Sequence, residues 1–275
     1  MSVDIHPLAC VDPSAQLADD VTVGPFCVVG PRVRIGRATR LEAHVTIGGD
    51  VTLGVENHIF PNAVLGMPPQ DLSWQGESTR ILIGDRNRIR ECVTIHTGTG
   101  KDRGLTQIGS DNYFMACSHV AHDCRVGNHV ILTNGALLGG HVLVEDHVTL
   151  SGGVAVHHFV RIGRYAFVAG MSAVRHDIPP YMLAEGYPAR PRCVNVVALQ
   201  RNQFPKETIE RLSEVHRLLY RQKLGLERTR QTLMAAGPLV PEVEELLQFV
   251  ASQHQGRHGR GGDHRESRNG LEDRQ

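Results

Sequence analysis

Aromatic side chains make up only 5% of the 275 residues, with a single Trp, too few for a platform that stacks nucleic-acid bases. Net charge is missing as well: 29 Lys and Arg balance 29 Asp and Glu, so no global field points to nucleic acid. The six cysteines, at 10, 27, 92, 117, 124 and 193, include no CxxC pair, which suits a reducing compartment. No apolar run reaches membrane-spanning length. Leu8–Cys10 looks like a lipoprotein cleavage site in miniature, but it lacks the basic and apolar regions a signal peptide needs. A soluble cytoplasmic protein without a transmembrane segment is the expectation.

What the chain does contain is a clock of six. From Ile5, every sixth residue is aliphatic through Val11, Leu17, Val23, Val29, Ile35, Leu41, Ile47, Leu53, Ile59 and Leu65. The beat returns at Ile83, Ile89 and Ile95, and again from Ile108 through Phe114 and Val120 to Val174. Neither a helix nor a flat strand has this period. A mainly β fold does: a left-handed parallel β-helix of hexapeptide repeats, three sides and about eighteen residues to a coil. The aliphatics point inward, and a small or β-branched residue four places later shares the narrow interior. Glycine often follows the aliphatic (Gly24, Gly36, Gly54, Gly84, Gly109, Gly127), where the chain is expected to turn a corner. Stacked coils need caps at both ends.

Residues 1–190 are therefore expected to form the β-helix, interrupted by corner loops at 66–82 and 96–107. A proline-rich break follows. Residues 191–252 read as a small α-helical domain, with Ile209, Leu212, Val215, Leu218 and Leu219 as its apolar stripe. The polar, glycine-rich segment 253–275 is expected to be disordered. Between Val156 and Arg230, thirteen Lys or Arg face six Asp or Glu, an excess that leaves room for an acidic partner.

Chemistry concentrates in "CSHVAHDCRVG" (117–127). Eighteen-residue stacking puts Gly140 over His122 and His141 over Asp123, with His157 and His158 one coil further and His119 one side earlier. Four readings fit these residue types. The histidines could hold zinc, as in hexapeptide-repeat carbonic anhydrases. A cysteine could be a nucleophile, although Cys124 falls at an interior position where a thiol is inert. The strip could be solvent-facing packing. Or His122 could be a general base beside Asp123, with the Gly140 N–H as oxyanion donor. The second loop's glycines, Gly98, Gly100 and Gly104, could cradle a phosphate or simply let the chain turn.

"IGDRNRIRECVTIHTGT" (83–99), "SHVAHDCRVGN" (118–128), "GGHVLVEDHV" (139–148) and "GGVAVHHFVRIG" (152–163) resemble the UDP-N-acetylglucosamine O-acyltransferase family of lipid A biosynthesis, from about residue 5 to about 250. The resemblance implies transfer of a 3-hydroxyacyl chain from acyl carrier protein to the 3-hydroxyl of UDP-N-acetylglucosamine, without cofactor or metal. It implies a homotrimer with sites between subunits. It implies His122 as base with Asp123, Gly140 at the oxyanion, and His119, His141, His157 and His158 at the substrate. Gln70 and Asp71 would meet the sugar, Asn195 and Arg201 the nucleotide. Gly170 takes the chain-length position, where bare backbone leaves room for a longer tail. Arg161, Arg164 and Arg175, with the helical domain's bases, would dock the acidic carrier. The chain departs from the family's pattern at Ser73, where Lys is common, and at Trp74, His158, Tyr187 and Asn202. These departures surround the nucleotide-sugar site, so a 3-amino or other nucleotide sugar stays open as acceptor, as does the zinc alternative.

Overall fold

A computed structural model describes residues 2–263. Short strands form three sheets of eleven, nine and eight members, the walls of the left-handed parallel β-helix. Pairing runs from coil to coil: Tyr113 lies beside Ile131, Ile131 beside Thr149, and Thr149 beside Phe167. Every clock residue from Val23 to Val174 is at most 5% exposed, so the six-residue beat is the core itself. No further element covers the first coil among the described residues. There Ile5 is 43% and Leu8 57% exposed.

The glycines after the aliphatics serve a different purpose from the one expected. At Gly36, Gly54, Gly84 and Gly109, φ is not in the left-handed region. A Cβ would instead lie within 3.0 Å of the next coil's backbone, for example 2.5 Å from the carbonyl of Gly54 above Gly36. Coil spacing, rather than turning, demands glycine there. The left-handed corner conformation falls mostly to larger residues, including Asp111, Asp123, His129, His141 and His147. Their N–H groups are tied to the coil before, as His141 is to the His122 carbonyl at 3.0 Å.

One inner corner carries a polar ladder. Asn87 Nδ2 donates to Asn57 Oδ1 (2.9 Å) and to the Gly109 carbonyl (3.0 Å), and its Oδ1 accepts from Asn112 N (3.0 Å). Asn112 Oδ1 accepts from Val130 N at 2.7 Å. These asparagines satisfy corner amides that would otherwise be buried without partners.

Both interruptions of the clock are insertions in the pairing. His58 pairs with Arg88 and Thr94 with His119, so the stacking step is longer than eighteen wherever a pair of strands spans an insertion. The ends of the inserted segments, Arg80–Ile83 and Leu105–Ile108, are themselves strands paired to each other. The coil ends in an antiparallel hairpin, Met182–Gly186 with Ala189–Val194. Among the described residues four α-helices follow: α1 (Val196–Arg201), α2 (Lys206–His216), α3 (Leu226–Ala235) and α4 (Pro241–Gln255). Ile209, Leu212, Val215 and Leu218 pack with Tyr181 and Met182 of the hairpin end, joining the helices to the β-helix.

The segment expected to be disordered from 253 departs from that expectation over its first part. Helix α4 runs to Gln255 and a 3-10 turn spans Arg257–Gly259. Gly261 N donates to Asp177 Oδ2 at 2.8 Å, and Arg260 and Asp263 form a buried ion pair. A buried acid at Asp177 needed these donors, a requirement no local composition shows. Residues 264–275 lie outside the described part of the chain.

Candidate active site

Val120 and Cys124 are both fully buried, so residues 121–123 must cross a corner on the outside. His122 and Asp123 sit at that corner, under the second insertion. His122 Nδ1 lies 2.9 Å from Asp123 Oδ2. A carboxylate only accepts, so Nδ1 carries a proton, and in the neutral imidazole Nε2 is then the nitrogen with the lone pair. Among the described residues Nε2 has no protein partner. The Asp123 side chain is fully buried. Burial pushes its carboxyl up, but hydrogen bonds from His122 and Thr99 outweigh that and hold it below the usual carboxylate range.

The second insertion builds the seat for this acid. Thr99 N donates to Asp123 Oδ1 (2.9 Å) and Thr99 Oγ1 to Oδ2 (2.7 Å), while Asp123 N donates to Thr106 Oγ1 (2.9 Å). Gly98 must be bare, since a Cβ would stand 2.3 Å from Leu105 N and 2.7 Å from Asp123 Oδ1. Sequence reasoning missed Thr99 and Thr106, which hold Asp123 in place. The interruption of the clock at 96–107 was the one available signal, and it marked a loop rather than its task.

Gly140 lies on the face of the His122 ring: a Cβ there would be 2.4 Å from Cε1 and 2.6 Å from Nε2. Its N–H finds no acceptor among the described residues. An unused amide beside a free imidazole nitrogen can receive developing negative charge. His141 stands edge-on to His122 (centroids 5.2 Å apart) and stacks on Phe159 (4.4 Å). Its Nε2 is 3.6 Å from Asp123 and its Nδ1 4.0 Å from Asp102. Burial lowers its pKa below 6.5 against the pull of both acids.

His119 bonds Thr94 Oγ1 through Nδ1 at 2.7 Å and meets His96 edge-on. Burial, reinforced by His96 and His122, brings His119 down to about 4. His96 is buried, its Nδ1 has no partner among the described residues, and burial lowers its pKa too. His157 and His158 lie against each other with centroids 3.8 Å apart. The strip is thus assembled as the eighteen-residue spacing predicts, with His96 added.

Other expected residues stand elsewhere in the chain. Asp71 pairs with Lys101 of the second insertion at 2.7 Å, while Gln70 beside it is exposed. Asn195 is engaged structurally: it caps α1 and donates to the Tyr165 carbonyl at 2.8 Å. Arg201 ends α1 on the surface, and Gly170 is exposed with room for a side chain limited by the Gly152 carbonyl at 3.3 Å. Arg161, expected to dock a partner, is committed inside: it binds Asp177 (2.8 Å) and Ser252 (2.8 Å) and covers the Phe249 ring. Arg164 lies 3.5 Å from Glu245, and Arg175 lies over Tyr187.

The alternative chemistries can be weighed on this geometry. Cys124 donates to the Gly139 carbonyl from the core, and burial raises its thiol to about 12, so it is no nucleophile at neutral pH. His122, Asp123 and His141 have ligand atoms within 4.8 Å of one another and could hold a cation. His122 Nδ1 is already bonded to Asp123, and a metal that took this nitrogen would have to break that bond.

Comparison with known proteins supplies the relatives of this arrangement. Residues 14–49 and 105–140 match the bacterial transferase hexapeptide family, and residues 177–259 match the second domain of UDP N-acetylglucosamine O-acyltransferase. The chain is 43% identical over 255 residues to the acyl-[acyl-carrier-protein]–UDP-N-acetylglucosamine O-acyltransferase of Syntrophobacter fumaroxidans, covering 92% of this chain and 99% of the relative. It is 43% identical to the enzyme of the same name from Thermodesulfovibrio yellowstonii, covering 92% and 98%. Among solved structures, LpxA from Acinetobacter baumannii superposes with a TM-score of 0.85 at 40% identity, over 89% of this chain and 95% of that one. At this identity over nearly its whole length, the chain belongs to the UDP-N-acetylglucosamine O-acyltransferase family.

Proposed function

We propose that the protein transfers a 3-hydroxyacyl chain from acyl carrier protein to the 3-hydroxyl of UDP-N-acetylglucosamine, the first step of lipid A biosynthesis. The observation that carries the mechanism is the orientation of His122: Nδ1 on the buried Asp123, Nε2 free beside Gly140. Nε2 takes the proton of the sugar hydroxyl as its oxygen attacks the thioester carbon. Asp123 stabilises the imidazolium, and the Gly140 N–H donates to the oxyanion. Collapse of the tetrahedral intermediate expels the carrier's thiolate, which takes the proton back from Nε2. No covalent enzyme intermediate is required.

His119, His141, His157 and His158 line the path of the substrates on this reading. Gln70, Asp71, Asn195, Arg201 and Gly170 serve the same clefts once three copies assemble, each cleft lying between neighbours. A cytoplasmic location accords with six free cysteines and with the carrier as donor. No described helix is long and apolar enough to cross a membrane.

The test is incubation of the purified protein with 3-hydroxyacyl carrier protein and UDP-N-acetylglucosamine, with a 3-amino analogue of the sugar in competition. A monoacylated UDP-N-acetylglucosamine by mass supports the reading. Exclusive acylation of the amino sugar, or hydrolysis of the thioester without transfer, overturns it.

A further inference from the structure

Two insertions interrupt the clock, and one ion pair ties them together: Lys101 Nζ to Asp71 Oδ2 at 2.7 Å. The Asp71 carboxylate accepts from three groups in this arrangement. Its Oδ1 accepts from Ser73 N (2.9 Å) and Ser73 Oγ (2.8 Å), and the Trp74 amide donates to its backbone carbonyl at 3.0 Å. The acid thus holds a local turn with one oxygen and an ammonium with the other. Lys101 is positioned from its own side as well. Its N–H donates to Thr99 Oγ1 at 3.3 Å, the hydroxyl that bonds Asp123. A short path, Asp71–Lys101–Thr99–Asp123, joins this cation to the buried acid of the active site.

The path runs among three carboxylates and the exposed Lys101 and Arg103 of the second insertion. Asp71, Asp102 and Asp123 are carboxylates. His96, His119 and His141 are all pushed below 6.5, mainly by burial, so they supply no fixed positive charge at neutral pH. A nucleotide sugar brings two phosphates. Arg125, 3.6 Å from Asp102, belongs to the next wall, where it pairs with Leu143. Lys101 is different. Its side chain is 53% exposed, and an ammonium has three N–H donors, of which Asp71 takes one. A half-exposed pair of this kind contributes little to folding, so structural need is a weak reason for it. The carboxylate that orients Lys101 also binds Ser73, the position where the family commonly carries its lysine.

We infer that Lys101, positioned by Asp71, is the residue that binds the diphosphate of the nucleotide sugar in this chain, supplying from the second insertion the cation that Ser73 does not. The inference rests on the proposed function for its ligand. It makes Asp71 a positioning residue acting through Lys101.

Competition with UDP and with uridine separates the phosphates from the base and ribose. In Lys101→Met the KM for UDP-N-acetylglucosamine and the inhibition constant of UDP are expected to rise roughly 10–100-fold, the range for losing a hydrogen bond to a charged group. The inhibition constant of uridine and the KM for the acyl carrier protein stay where they were. Lys101→Arg retains most of the affinity, and Ser73→Lys placed on Lys101→Met restores part of it. An unchanged UDP constant in Lys101→Met overturns the inference. So does an equal rise for UDP and uridine, which would mean that Lys101 only holds the loops together. Should the wild type fail to acylate UDP-N-acetylglucosamine, the proposed function falls, and direct binding of UDP to wild type and Lys101→Met still decides the role of Lys101.

Discussion

Gly140→Ala replaces a hydrogen with a methyl group in a place the structure reserves for a ring. The new Cβ would stand 2.4 Å from His122 Cε1, 2.6 Å from Nε2 and 3.0 Å from Nδ1. Ordinary contact begins near 3.4 Å, so the imidazole must retreat by about 1 Å. Such a displacement of a reacting group costs on the order of 10²-fold in rate, and it also pulls Nδ1 from Asp123. The fold has little at stake, because Gly140 lacks a left-handed φ and its neighbour is a side chain that can swing. Steady-state acyl transfer is therefore expected to show kcat lower by roughly 100-fold. The melting temperature falls by no more than loss of the His122–Asp123 hydrogen bond accounts for, about 1–3 kcal/mol. Gly30→Ala is the control: its Cβ meets only the Ile47 carbonyl at 3.4 Å and Gly48 at 3.6 Å, far from the site. Wild-type kcat in Gly140→Ala would refute the placement of His122 against this glycine. Equal losses in both variants would show a generic cost of filling the β-helix surface.

Asp123→Asn keeps the shape but offers an amide N–H to His122 Nδ1, favouring the tautomer with a protonated Nε2. Transfer is expected to slow by roughly 10²–10⁴-fold at unchanged KM, and a loss below about threefold would leave Asp123 without its role. Asn87→Ala removes partners from the buried Asn112 N–H and Gly109 carbonyl, each costing about 1–3 kcal/mol. Urea unfolding should show a clearly lowered midpoint, and an unmoved midpoint would mean the ladder is dispensable. His119 protonates near 6.5 when unfolded but only near 4 when folded. It contributes nothing above about 6.5 and an increasing penalty as pH falls toward 4, because the unfolded chain takes the proton first. Melting curves across that window should be shallower with pH in His119→Gln than in wild type; parallel curves would contradict the burial of this imidazole.

The strip of histidines was legible because two integers governed it. Six placed Cys124 inside and His122 outside; three times six put Gly140 over His122 and His141 over Asp123. Wherever the period was broken, the reading stopped. Thr99 and Thr106 reach Asp123 from an insertion whose path no periodicity describes. His96 joins His119 across a stacking step altered by that same insertion. The glycines were read as turn formers, yet they are small because the next coil's carbonyls stand where a Cβ would be. Corner residues such as His129 and His147 tolerate a left-handed φ in their place because interstrand hydrogen bonds hold them there. Arg161 and the chain from 257 to 263 meet through Asp177, a long-range burial that composition cannot express.

His122→Ala removes the group on which transfer depends while leaving the coil, the acid's seat and the Gly140 amide in place. With 3-hydroxyacyl carrier protein and UDP-N-acetylglucosamine, kcat is expected to fall by roughly 10²–10⁴-fold, with binding of UDP retained. A His122→Ala enzyme turning over within about threefold of wild type would contradict general-base catalysis at this corner.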